Sequence, residues 1–216
     1  GERLLHGLEL SDSDWLRIYK LYFTCMRSAH TGQGMDIHGL QHLVSDCLKR
    51  GDTSELWSKL MAVHRLKSGV AAMTAARIGV VLGGGSVEQE RALGDYFLAL
   101  GTAFQVVDDV VNLRGFQDNL KDKAEDLQEG KVTAPVIRAL SVLDPPEAHS
   151  LWNALRDEPD VPRALELIES CDAIDWCHQT AHDMVDGTWD RVDATIIDSH
   201  AKIALRTFGR FVVDVR

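Results

Sequence analysis

A nine-residue stretch, FQVVDDVVN at 104–112, places two adjacent aspartates and an amide inside an otherwise apolar run. At about 100° per residue of a helix, its polar residues share one arc of about 100°: Gln105, Asp108, Asp109 and Asn112. Adjacent buried carboxylates repel each other unless a cation compensates them. Carboxylate and amide oxygens suit Mg²⁺, so the stretch suggests a magnesium site.

The alternative for this stretch is an ordinary amphipathic helix with a solvated polar face. Such a face normally mixes cations with anions, whereas this stripe is narrow and contains no cation. The valines on the remaining sides favour burial of the helix. We therefore expect the stripe to face a metal-containing cavity.

Positive charge is available in two other segments. Lys67 has Leu60, Val63, Val70, Ala71 and Thr74 at helical neighbour positions, a largely apolar surrounding. Its ammonium group therefore either pairs with an anion or extends to solvent, and the sequence leaves both open. Lys121 and Lys131 lie in a charge-balanced polar segment that, taken alone, is typical of a solvated loop. Together with the carboxylate stripe, these lysines suit a substrate with a diphosphate head and a hydrocarbon tail.

The elements that position these residues are predicted to be helices, because apolar spacing near 3.6 residues recurs along the chain. We expect an all-α fold with a polar loop at about 115–133. Ser11 and Ser86 are predicted N-caps. The predicted helices span about 11–37, 53–82 and 87–113, begin again near 134, and span 146–157, 162–170, 173–186 and 193–213.

Composition narrows the class of protein. The 216 residues predict a single domain over 1–216. The net charge of −10 disfavours a nucleic acid or an anionic membrane as the main partner. The four cysteines lack CxxC spacing, which favours reduced thiols and a cytoplasmic location. No apolar run is long enough for stable membrane insertion.

The stretch FQVVDDVVN, followed by KDKAEDLQEGKVTAP, resembles the second aspartate-rich region of trans-isoprenyl diphosphate synthases. GQGMDIHG at 32–39 is similar to the GQ-containing helix of that family, and HRLKSG at 64–69 to its lysine-threonine motif. These segments occur in the family's order and spacing. The resemblance implies the all-α prenyl synthase fold, a helical bundle around a central cavity.

The resemblance also implies roles for individual residues. Asp108 and Asp109 would bind Mg²⁺ that bridges to the diphosphate of an allylic substrate, with Asn112 at the position of a third ligand. Gln105 would orient the substrate near the developing carbocation. The other substrate-binding residues implied are Lys67, Ser68, Gln33, Lys121 and Lys131.

The implied reaction is prenyl transfer. The allylic diphosphate ionises, and isopentenyl diphosphate attacks the cation, giving geranylgeranyl or a related polyprenyl diphosphate. A class I terpene cyclase, which has the same fold and closes the cation on itself, is the closest alternative. The family also implies a homodimer.

One departure from the family pattern stands out. The family carries a first aspartate-rich motif, DDxxD, upstream of the GQ segment, and the 31 residues before Gly32 contain none. We therefore expect a synthase that is incomplete as given, without its N-terminal helices. The alternatives are a subunit whose N-terminal part is a separate chain, and a non-catalytic partner of a prenyl synthase.

Overall fold

Helices make up all the regular structure in the part of the chain that the computed structural model describes, residues 7, 9–115, 124–156 and 158–214. The expected all-α fold is confirmed. A π-helical turn at Arg65–Gly69 joins α3 to α4. In chain order the helices are α1 (Asp12–His38), α2 (Gln41–Arg50), α3 (Ser54–His64), α4 (Val70–Leu82), α5 (Val87–Arg114), α6 (Glu125–Gln128), α7 (Ala134–Val142), α8 (Pro145–Ala154), α9 (Val161–Glu169), α10 (Ala173–Thr195) and α11 (His200–Val213).

Both predicted serine caps are present. The Ser11 hydroxyl accepts a hydrogen bond from the backbone N–H of Asp14 at the start of α1. Ser86 forms a reciprocal capping box with Gln89 at the start of α5. These local signals set where the two longest helices begin.

The structure differs from the prediction at α10, at α2 and at the start of α11, which begins at His200 rather than near 193. α10 continues to Thr195 through Gly187, so the predicted break between 186 and 193 is wrong. Buried Cys177, Ala181, Val185 and Val192 lie along one side of this helix, and their packing outweighs the cost of about 1 kcal/mol for an interior glycine. The short α2 was not predicted, and glycines with positive φ flank it.

α5 is the central helix of the fold. It contacts both α4 and α10. Its N-terminal half packs with α10 and α11 around Tyr96 and Leu100, whereas Val106 and Val110 join a second cluster with α3, α7 and α8. The helix is thereby fixed on most sides, which leaves its polar stripe as the exception. Within the described ranges, no helix has the length and apolar character needed to cross a bilayer.

Candidate active site

A cavity of about 200 Å³ lies beside the C-terminal half of α5. Its walls come from the end of α1, the start of α2, α3 with the π-turn, α5, and the segment from α6 to α7. All four residues of the predicted stripe line it, so the predicted orientation of α5 is confirmed. Two predicted lysines line it as well, Lys67 and Lys131.

Close backbone packing brings Lys67 to this cavity. A Cβ on Gly32 of α1 would lie 2.5 Å from the Lys67 backbone nitrogen, and a Cβ on Gly101 of α5 would lie 2.9 Å from the Gly69 Cα. Only glycine permits such approaches on either side of the π-turn. Gly101 lies one helical turn before Gln105 on the same side of α5, and this contact explains why the position is a glycine. Segments of π-helix are frequent at functional sites.

The ammonium group of Lys67 pairs with an anion. Its Nζ lies 2.7 Å from Oδ2 of Asp36, which α1 contributes from the GQGMDIHG segment. Both side chains are partly buried. Of the two alternatives that the sequence left open, the structure contains the ion pair.

The two aspartates of the stripe have different surroundings. Asp109 is buried, and its Oδ2 accepts a hydrogen bond of 2.9 Å from the backbone N–H of Ala134, the first residue of α7. The ring Nε2 of His64 lies 3.2 Å from the same oxygen. Asp108 is half-buried at the cavity. Asp109 also affects a neighbouring group: burial of the Cys177 thiol raises the pKa of that thiol, and the negative charge of Asp109 raises it further.

Asn112 orders the segment that follows α5. Its side-chain Oδ1 accepts a hydrogen bond of 3.1 Å from the backbone N–H of Asp126, and its carbonyl accepts one of 2.8 Å from Ala124. The amide oxygen therefore has a structural partner at the start of α6. Its role as a metal ligand stays a prediction.

Lys131 is held by carboxylates of the same segment. Its Nζ lies 2.8 Å from Oδ1 of Asp126 and 2.7 Å from Oε2 of Glu129. Burial alone would lower the pKa of Lys131, but the hydrogen bonds to the two carboxylates outweigh it, and the pKa is raised. Lys131 is therefore a cation at any physiological pH.

Two predicted binding residues are not part of the cavity wall, and a third lies outside the described residues. Gln33 is exposed on α1, and Ser68 is half-buried in the π-turn; neither lines the cavity. Lys121 lies outside the described residues. The roles of all three stay predictions.

His64, Glu125 and Asp126 are among the lining residues for which the sequence predicted no binding role. His64 precedes Lys67 by three positions, so helical spacing puts both on one face, and this signal was present in HRLKSG. Glu125 and Asp126 were indistinguishable from the other charges of a polar loop.

The cavity carries an excess of negative charge. Among its described lining residues, two lysines face five carboxylates, namely Asp36, Asp108, Asp109, Glu125 and Asp126. Within the described residues, no group of three or more His, Cys, Asp or Glu side chains is arranged to hold a metal by itself. Mg²⁺ is commonly held by one or two carboxylates together with substrate phosphates and water. The oxygen-rich donor set fits that mode of binding.

Comparisons with known proteins agree with this architecture. The sequence matches the family model described as polyprenyl synthetase over residues 3–170. It is 31% identical over 151 residues to a short chain isoprenyl diphosphate synthase of Methanothermobacter thermautotrophicus, an alignment that covers 68% of this chain and 46% of the relative.

Two solved structures are similar over most of the chain. A polyprenyl synthase of Caulobacter crescentus, complexed with calcium and isoprenyl diphosphate, matches with a TM-score of 0.80 and 25% identity over 93% of this chain and 59% of that one. A geranylgeranyl pyrophosphate synthase of Corynebacterium glutamicum, complexed with the same ligands, matches with a TM-score of 0.72 and 26% identity over 92% and 59%. The chain spans less than two thirds of these proteins. It belongs to the polyprenyl synthetase family.

Proposed function

We propose that this chain forms part of a Mg²⁺-dependent trans-prenyltransferase, which condenses isopentenyl diphosphate with an allylic diphosphate to make geranylgeranyl or a related polyprenyl diphosphate. The observation that carries the proposal is the composition of the cavity wall, in which carboxylates outnumber lysines in a chain of the polyprenyl synthetase family. A diphosphate would be repelled by these carboxylates unless divalent cations accompany it. The calcium and isoprenyl diphosphate in two similar structures support the same pairing.

The residues of this chain have separate tasks in the proposal. Asp108 and Asp109 would hold the cation, which would supply positive charge to stabilise the leaving diphosphate. Lys67 exchanges its present partner, Asp36, for diphosphate oxygens. Lys131 does the same with its partners Asp126 and Glu129. Such an exchange keeps each ammonium group paired before and after binding, so neither lysine is left as an unpaired, partly buried charge.

The reaction is an ionisation followed by carbon–carbon bond formation. The allylic carbon–oxygen bond breaks, and its electron pair leaves with the diphosphate. The double bond of isopentenyl diphosphate attacks the allylic cation, and loss of a proton from the adduct restores a double bond. Gln105, on the cavity-facing side of α5, orients the substrate near the developing positive charge.

The domain extent and the location belong to the same proposal. We assign residues 1–216 to a single domain, and we propose that the protein is cytoplasmic. α1 leaves Leu16, Phe23 and Ile37 exposed by 57%, 59% and 77% along one side. These exposed apolar side chains support a partner, either a second copy in a homodimer or a chain that supplies the N-terminal part of the synthase.

Substrate pairs distinguish the candidate functions. Farnesyl plus isopentenyl diphosphate with Mg²⁺ should give an elongated diphosphate if the protein is a synthase. Geranylgeranyl diphosphate alone should give a hydrocarbon or alcohol if it is a class I terpene cyclase. Binding of Mg²⁺ and pyrophosphate with neither product is expected of a synthase that is incomplete as given or of a complementing subunit. Absence of both binding and turnover would refute the proposal.

A further inference from the structure

We propose that His64 is a positioning residue for Asp109: it holds one oxygen of that carboxylate so that the other is presented to a divalent cation bound with diphosphate. This inference rests on the proposed function, because it assigns the cation to Asp109. It concerns a residue for which the sequence predicted no role. His64 reaches the carboxylate from the last residue of α3, whereas Asp109 lies on α5.

The contacts around Asp109 converge on a single oxygen. Oδ2 is 3.2 Å from His64 Nε2 and 2.9 Å from the backbone nitrogen of Ala134. An ionised carboxylate only accepts hydrogen bonds, so the imidazole that faces it carries its hydrogen on Nε2. Both donors therefore point at Oδ2, and Oδ1 is the oxygen that remains for a cation.

Two donors from different helices fix the carboxylate more firmly than one would. The terminal torsion of an aspartate is broad, so a single hydrogen bond permits the group to rotate. Here His64 donates from α3 and Ala134 donates from the N-terminus of α7. The N–H groups of that helix end also favour a negative charge. Rotation of the carboxylate would break both contacts.

The other ring nitrogen argues against a purely structural role for His64. The residue is 3% exposed, and its Nδ1 has no hydrogen-bond partner among the described residues. A buried polar atom without a partner is unfavourable, and an apolar side chain of similar volume would avoid this cost. The ring also lines the cavity beside the residues assigned to the cation. The hydrogen bond from His64 Nε2–H to Asp109 is the interaction that offsets this cost.

The test measures cation binding rather than turnover. Mn²⁺, as a spectroscopic substitute for Mg²⁺, is titrated into the chain with inorganic pyrophosphate and followed by electron paramagnetic resonance. His64→Leu should weaken Mn²⁺ binding by about 10–100-fold, as expected for loss of a group that orients a ligand. His64→Gln, whose amide nitrogen can replace Nε2, should restore most of the affinity.

Tyr96→Phe is the matched control. It removes a buried hydrogen bond to the Leu205 carbonyl from the same helix α5, in the hydrophobic cluster away from the cavity. Its Mn²⁺ affinity should equal that of the parent, with folding of every variant checked by circular dichroism and thermal melting.

The outcomes separate the two proposals. Absence of Mn²⁺ binding in the parent would refute the proposed function itself. Parent-like binding in His64→Leu would overturn the positioning role of His64. Equal loss in His64→Leu and His64→Gln, with both folded, would also overturn it, because the donated hydrogen bond would then not be what matters.

Discussion

Helix α5 buries two carboxylates to the same extent, Glu90 at 7% exposure and Asp109 at 8%, yet surrounds them differently. Glu90, near the start of the helix, pairs with Arg17 of α1 and, at 2.8 Å, with Arg77 of α4. Asp109, near its end, has His64 and the Ala134 N–H as its contacts, and no lysine or arginine pairs with it in the described ranges.

The difference indicates what each carboxylate is for. Burial of a negative charge is unfavourable unless a cation or several donors compensate it. Glu90 is compensated by cations that the chain itself supplies, so it is a structural link between three helices. Asp109 is contacted by an imidazole and a backbone N–H, with no lysine or arginine paired with it in the described ranges, and it lies in a cavity with other carboxylates. This is the arrangement expected where the cation comes from solution.

The largest expected effect separates the two carboxylates by activity. Asp109→Asn should slow prenyl transfer by about 10³-fold or more, because a metal-binding charge is removed. Its free energy of unfolding without metal should change by less than about 1 kcal/mol, since the amide still accepts from a donor. Product formation and denaturant unfolding measured on the same preparations check both statements, and a stable, fully active variant would contradict the metal role.

Glu90→Gln should show the reverse pattern. Loss of the charge between two arginines should lower the free energy of unfolding by about 2 kcal/mol, less than for a fully buried pair because both arginines are partly exposed. Binding of Mg²⁺ and pyrophosphate should be unchanged. Glu88→Gln, an exposed position in the same turn, is the control and should change stability by less than about 0.5 kcal/mol.

Ligand-induced stabilisation gives a third comparison. At about ten times their dissociation constant, Mg²⁺ and pyrophosphate together should stabilise the parent by about 1.4 kcal/mol. Glu90→Gln should be stabilised by the same amount, although its free energy of unfolding without ligand is lower. Asp109→Asn should be stabilised little. A thermal-shift series with and without EDTA measures this, and equal gains in all three proteins would remove the distinction between the two carboxylates.

The smallest expected effect on stability is that of a substitution at Lys131, whose side chain is ion-paired and 42% exposed. Lys131→Met should change the free energy of unfolding by less than about 0.5 kcal/mol, because exposed ion pairs contribute little. It should nevertheless weaken pyrophosphate binding in the presence of Mg²⁺. Calorimetry compares it with Lys49→Met, a lysine paired with Asp46 on α2, for which unchanged affinity is expected.

The sequence predicted the features that depend on short-range patterns. Helical periodicity indicated the all-α fold, and the angular positions of Gln105, Asp108, Asp109 and Asn112 predicted the face of α5 that lines the cavity. Ser11 and Ser86 indicated two helix starts. Each of these depends on residues within a few turns of one another.

Features that depend on contacts between distant segments could not be predicted from short-range sequence patterns. The length of α10 is set by burial of one face against α5, which a sequence pattern interrupted by Gly187 does not reveal. The partner of Lys67 is Asp36, 31 positions away, and that of His64 is Asp109, 45 positions away. The sequence also did not show which polar residue of the GQGMDIHG segment faces the cavity. Asp36 lines the cavity, whereas Gln33 is exposed.

The central claim is that this cavity binds diphosphate only together with a divalent cation. Isothermal titration of inorganic pyrophosphate into the chain, in Mg²⁺ and again in EDTA, tests it most directly. The account predicts saturable binding in Mg²⁺ that disappears in EDTA and is lost in Asp109→Asn while Glu90→Gln retains it. Equal binding with and without Mg²⁺, or loss in Glu90→Gln with retention in Asp109→Asn, would contradict it.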